Sequence, residues 1–242
     1  MDIAVKTGNP GQDMTAAKRR WLTGLAAAGI AGPVIFWLIL LLAQSLYPGY
    51  DPAAASISRL IFGRYGWLQT VNFCLMTVFT VAFGTAVYIG IAKSKAGKLA
   101  SALFIIMGLA QLLTAIFRVN QDPFAPKTLA YNIHNWVFLV TAAAFPFGAL
   151  LLVPSLSSDK HWRPFAGFTI AAGITALALG LYWVVAHPLA PQLINPWFGI
   201  YERILLSIPL VWMIVISSRL LWMIRHLRLT GLKDRRMNER IE

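Results

Sequence analysis

Apolar and polar residues in this chain come in blocks rather than in alternation. Six apolar runs stand out, at Trp21–Leu46, Trp67–Ala92, Leu99–Phe117, Leu129–Val153, Phe165–Ala186 and Phe198–Ile224, with polar stretches between them. The shortest has 19 residues, enough at ~1.5 Å per residue to cross a hydrocarbon layer of ~30 Å. Spanning strands would show alternation over ~10 residues instead. Gly29, Gly32-Pro33, Pro146, Gly173 and Pro209 interrupt the runs, and membrane helices tolerate such residues. The first run exceeds the ~7–15 residues of a signal-peptide core and is followed by no small-x-small cleavage site, so it reads as a retained span. The expected fold is all-α, an integral membrane bundle of six transmembrane helices over residues 21–224. An N-terminal tail (1–20) and a basic C-terminal tail (225–242) flank it.

Composition agrees. The chain is 58% hydrophobic and 12% charged, against ~25% charged in an average soluble domain. A net charge of +12 raises the question of nucleic acid, because basic patches bind phosphate. The distribution of those charges answers it differently. With the N-terminus inside, 16 of the 21 Lys and Arg fall on the inner side, as the positive-inside bias requires, so both termini are expected in the cytoplasm. The outer side keeps Arg59, Arg64, Arg118, Lys127 and Arg203. Trp67, Trp136 and Trp197 at outer boundaries and Trp21, Trp162 and Trp222 at inner ones suggest an interfacial belt. No nucleic-acid role is expected, and the lone Cys74 reads as a small core hydrophobe. The basic run Arg225–Arg240 is expected to set topology and to attract anionic lipid headgroups.

Chemistry concentrates near the outer ends. The first loop, Tyr47–Gly66, is too short for a domain and is expected to form a structured cap or re-entrant segment. Arg118 closes the third run, with Thr114 and Gln111 expected below it on one face. His134 lies one to two turns into the fourth run, Glu202-Arg203 opens the sixth, and Asn72 lies about one turn into the second. These depths match, so the groups can share one polar layer. Ionisable groups beside spans are expensive and are kept for a reason. One reading is structural, with Asp122 or Glu202 paired to Arg118 or Arg203. The other is a pocket facing outward. There His134, Asp122 and Glu202 would do acid–base work, while Asp51, Arg59, Asn72, Arg118 and Arg203 bind substrate. The arginines would hold an anionic group.

A zinc centre needs three or four ligands at recognisable spacing. His134 and His187 on the outer side do not provide them, and two histidines at similar depth are thin support for haem. No cofactor is implied. Phosphate-cradling loops and serine-nucleophile elbows are absent.

The segments Tyr50-Asp51-Pro52, Ile57-Ser58-Arg59-Leu60, Asn72-Phe73, Phe117-Arg118-Val119-Asn120-Gln121-Asp122-Pro123, His134-Asn135 and Gly199-Ile200-Tyr201-Glu202-Arg203-Ile204 resemble the membrane family called domain of unknown function 998. The likeness covers about Trp21 to Ile224. It implies a six-helix membrane protein of prokaryotic type, in the plasma (inner) membrane, and a looser kinship with multi-pass proteins that remodel lipid anchors. The leading expectation is a pocket that binds or modifies a lipid-like or amphiphilic molecule, with membrane lipids as partners. A scaffold or partner-binding subunit is the first alternative. A transporter of small amphiphiles is the second, although the inner halves of the helices offer it few polar residues.

Overall fold

A backbone that crosses hydrocarbon must satisfy its own N–H and C=O groups, so each apolar run folds as a helix. The computed structural model describes residues 15–122, 125–189 and 195–238. Its helices are α1 (Ala16–Ser45), α2 (Trp67–Gly90), α3 (Lys95–Ile116), α4 (Leu129–Ser157), α5 (Ala166–Leu189) and α6 (Phe198–Asn238). All six are long and apolar enough to cross a membrane, and no strand occurs among the described residues.

Helix ends differ from the apolar boundaries because caps, not hydropathy, set them. Thr15 Oγ1 accepts from Lys18 N at 3.3 Å and starts α1 at Ala16, ahead of Trp21. Ser94 Oγ accepts from Gly97 N at 2.9 Å and starts α3 ahead of Leu99. α6 runs on as helix through much of the basic segment expected as a tail. The N-terminal stretch to residue 14, Pro123 and the His187 side chain lie outside the described residues.

The helices form a ring. Each packs on its chain neighbours, and α6 returns to α1. α5 leans chiefly on α4 and has only 17% of its apolar window buried, against 33–44% for the others. At the centre sit Phe83 of α2, Phe104 of α3, Phe145 of α4 and Trp212 of α6, with ring centroids 5.2–5.7 Å apart. Trp212 is fully buried, and its Nε1 donates to Thr169 Oγ1 of α5 at 3.0 Å. One indole therefore ties five helices together. Trp162, expected at a lipid boundary, instead packs on Phe165 and is 1% exposed.

The first loop folds inward. Residues Ile57–Phe62 form a short 3-10 helix, and Ile57 and Leu60 are each 1% exposed within the core. Two buried isoleucine and leucine side chains anchor this segment as a cap over one end of the ring.

Candidate functional site

Two adjacent residues of α6 hold the cap. Glu202 is buried, and its Oε2 accepts from the Ile57 amide at 2.6 Å. Arg203 donates from one terminal nitrogen to the carbonyls of Gly199 at 2.9 Å and Ala55 at 3.3 Å. Its other terminal nitrogen reaches Gln44 Oε1 at 3.0 Å and Tyr50 Oη at 2.9 Å. The planar guanidinium suits this divergent set in a way an ammonium would not. Tyr50 shares its hydroxyl proton between the carbonyls of Ala55 (3.1 Å) and Ser56 (3.0 Å). Burial pushes the Tyr50 phenol above its ordinary pKa, an effect that the Arg203 hydrogen bond and charge partly offset. Gly199 permits the contact, since a β-carbon there would sit against the carbonyl oxygens of Pro52 and Ala55, the latter at 2.6 Å. The Ile200 amide donates to Ala53 O at 3.1 Å.

The cap presents Ser58 to α4. His134 is 5% exposed, and its Nδ1 lies 2.7 Å from the carbonyl oxygen of Phe117. A carbonyl can only accept, so Nδ1 carries the proton. In the neutral ring Nε2 is then an acceptor, and it lies 3.2 Å from Ser58 Oγ. Phe117 is the C-cap of α3, where helix carbonyls lack intrahelical partners. His134 fills that vacancy.

Below these groups is a cavity of about 90 Å³, well above the ~10–15 Å³ that one water needs. Ser58, His134, Glu202, Gln111 and Thr114 give it polar lining. Phe73, Met76, Met107, Phe145, Leu210 and Met213 give it apolar lining. Lys and Arg are absent from the lining among the described residues. Pro146 and Pro209 add a further feature. Lacking N–H groups, they leave the carbonyls four residues earlier, at Ala142 and Leu205, without their helical donors. Both Ala142 and Leu205 border the cavity.

Of the eight residues expected to share one site, His134 and Glu202 line this cavity. Arg203 and Asn72 are elsewhere, and their hydrogen bonds hold structure together. Asn72 Nδ2 donates to Phe36 O at 3.1 Å, across the α1–α2 contact, and to Gln69 Oε1 at 3.4 Å. Asp51 Oδ1 accepts from Ala53 N at 2.8 Å in a local turn. Arg59 donates to Gln121 O at 3.2 Å and joins the first loop to the α3–α4 turn. Arg118 and Asp122 are exposed in that turn. α3 ends at Ile116, so Arg118 leaves the helical face that carries Gln111 and Thr114. Ser58 also lines the cavity and stands outside the expected set. It lies in the Ile57-Ser58-Arg59-Leu60 segment of the family likeness, but its partner His134 is 76 positions away. Among the described residues no three His, Cys, Asp or Glu side chains gather as a metal site.

A family model described as "Protein of unknown function (DUF998)" matches residues 30–219, well over half of the chain. No curated protein and no solved structure matches it. The match covers the cap, the residues that line the cavity and the parts of α4 and α6 that carry His134, Glu202 and Arg203.

Proposed function

The chain belongs to the DUF998 family and is a multi-pass membrane protein; from that premise we propose that its cavity takes the hydroxyl-bearing headgroup and first acyl carbons of an uncharged amphiphile, such as a mono- or diacylglycerol. The observation that carries this reading is the composition of the cavity wall, polar at Ser58, His134 and Glu202 and apolar at Met76, Met107, Phe145 and Met213. A buried site with few polar groups set in an apolar wall is the usual form of a small-ligand pocket. Methionines suit an irregular acyl chain because they repack readily.

Charge selects the headgroup. The Glu202 carboxyl lines the cavity and, among the described residues, no Lys or Arg does, so a phosphate would enter without a counter-ion, at a high desolvation cost. The carboxyl and the carbonyls of Ala142 and Leu205 are acceptors, which hydroxyl groups can satisfy. Arg203 and Arg59 are bonded to neutral oxygens of the cap, of α1 and α6 and of the α3–α4 turn. In this reading they position the cap instead of holding an anion.

The orientation belongs to the same proposal. With 16 of 21 basic residues at the end that carries the termini, both termini face the cytoplasm and the cap faces outward. The host membrane is a prokaryotic plasma membrane.

Native mass spectrometry of the detergent-purified protein tests the binding. One uncharged glycerolipid per chain is expected, and delipidated protein should take up added diacylglycerol in preference to phosphatidylglycerol. Protein that binds neither lipid, or that prefers the anionic one, would overturn the reading.

A further inference from the structure

The cap and α4 bring together a nucleophile and a base, and we infer that Ser58 and His134 form a catalytic dyad for acyl transfer from an ester lipid. This rests on the amphiphile-binding reading above. A serine hydroxyl becomes a nucleophile when a neutral imidazole nitrogen stands within reach and a third group fixes the imidazole tautomer. All three elements are present. His134 Nε2 lies 3.2 Å from Ser58 Oγ, and the Phe117 carbonyl fixes the proton on Nδ1 at 2.7 Å. The Phe117 carbonyl takes the place that a carboxylate holds in a triad. It also lies at the C-terminus of α3, whose partial negative charge favours the imidazolium formed during the reaction.

The surroundings suit the same chemistry. Ser58 and His134 are 6% and 5% exposed, and both line the cavity. Glu202 holds the amide of Ile57, directly before Ser58, while Arg203 holds Ala55. These are positioning residues that keep the nucleophile still. Gln111 shares the wall, and its Oε1 is engaged by Thr80 Oγ1 at 3.4 Å. Its amide N–H groups are the donors available for a developing oxyanion.

The reaction balances as follows. Ser58 Oγ attacks the ester carbonyl carbon and its proton passes to His134 Nε2. The tetrahedral intermediate collapses, the C–O bond to the glycerol breaks, and His134 returns the proton to the leaving alkoxide. The products are an acyl-Ser58 ester and a free hydroxyl. Water, or the hydroxyl of a second lipid, then attacks the acyl carbon and gives its proton to His134; the bond from the acyl carbon to Ser58 Oγ breaks, His134 returns the proton to that oxygen, and a fatty acid or a new ester leaves. No redox step is involved.

Purified protein in detergent micelles is treated with a long-chain alkyl fluorophosphonate, and the adduct is mapped by peptide mass spectrometry. A native spectrum of the same preparation with added diacylglycerol reports binding. One adduct per chain is expected, on Ser58, with none in Ser58→Ala. His134→Gln keeps a donor and an acceptor but no basic nitrogen, and should slow labelling by about 10²-fold or more. Absence of label, label on another residue, or labelling of His134→Gln at the wild-type rate would overturn the dyad. If diacylglycerol still binds in those cases, the binding reading stands alone. If it does not, both fail.

Discussion

The two ends of the helix ring use polar residues in opposite ways. At the end holding the α2–α3 and α4–α5 turns, charge answers charge in the open. Lys93 Nζ meets Asp159 Oδ2 at 2.5 Å, with the lysine side chain 53% and the aspartate side chain 15% exposed. At the cap end, Glu202 and Arg203 bond the backbone of a loop some 145 positions away in sequence, and Glu202 is 5% exposed. A surface pair of the first kind is screened and contributes little. A buried polar side chain bonded to backbone fixes geometry, because losing either partner strands the other. The first arrangement finishes helix ends, while the second places Ser58.

Substitutions should separate the ends in this order. Arg203→Ala removes four hydrogen bonds at once and is expected to cost about 3 kcal/mol, read as a lower melting temperature in detergent. Arg203→Lys should recover little of it, since one ammonium cannot span the fork. Gly199→Ala drives a β-carbon into the Pro52 and Ala55 carbonyls and is expected to cost about 2 kcal/mol, with faster proteolysis of the first loop. Glu202→Gln keeps an acceptor for the Ile57 amide but replaces the carboxyl. About 1 kcal/mol is expected, with faster hydrogen exchange at Ile57. Asp159→Asn, at the opposite end, should stay within about 0.5 kcal/mol. Equal losses from Asp159→Asn and Arg203→Ala would erase the contrast.

The Asp159 pair also predicts a pH response. Burial alone would raise its pKa, but the Lys93 hydrogen bond, the His161 amide and the nearby positive charges bring it below the ordinary value of 3.8. The folded state therefore binds this proton more weakly than the unfolded chain. Its stabilisation is full above the ordinary value and is lost as pH falls through the lowered one. Asp159→Asn should remove that small acid-side component and leave the melting temperature near neutral pH almost unchanged.

The spans were legible because hydrocarbon imposes one rule on every residue of a run. Helix ends were less so, since Thr15 and Ser94 act by hydrogen bonding and leave no mark in hydropathy. Depth was also legible: it puts His134 and Glu202 toward one layer, and both line the cavity. Facing was not. Asn72 has the right depth, but its side chain meets Phe36 across α1, and Arg118 has left its helix altogether. Ser58 shows the limit most plainly. Its segment carries the family likeness, but its pairing carries no signal until the loop is folded back under Glu202 and against His134.

The most direct test of the amphiphile-binding claim fills the cavity and leaves the cap alone. Ala176 of the loosely packed α5 borders the cavity and is 2% exposed, so Ala176→Phe should occupy part of the space meant for the acyl chain. Native mass spectrometry of this variant, beside a melting curve to establish folding, should show the folded protein with diacylglycerol occupancy reduced at least severalfold. Wild-type occupancy in the folded variant would contradict the account.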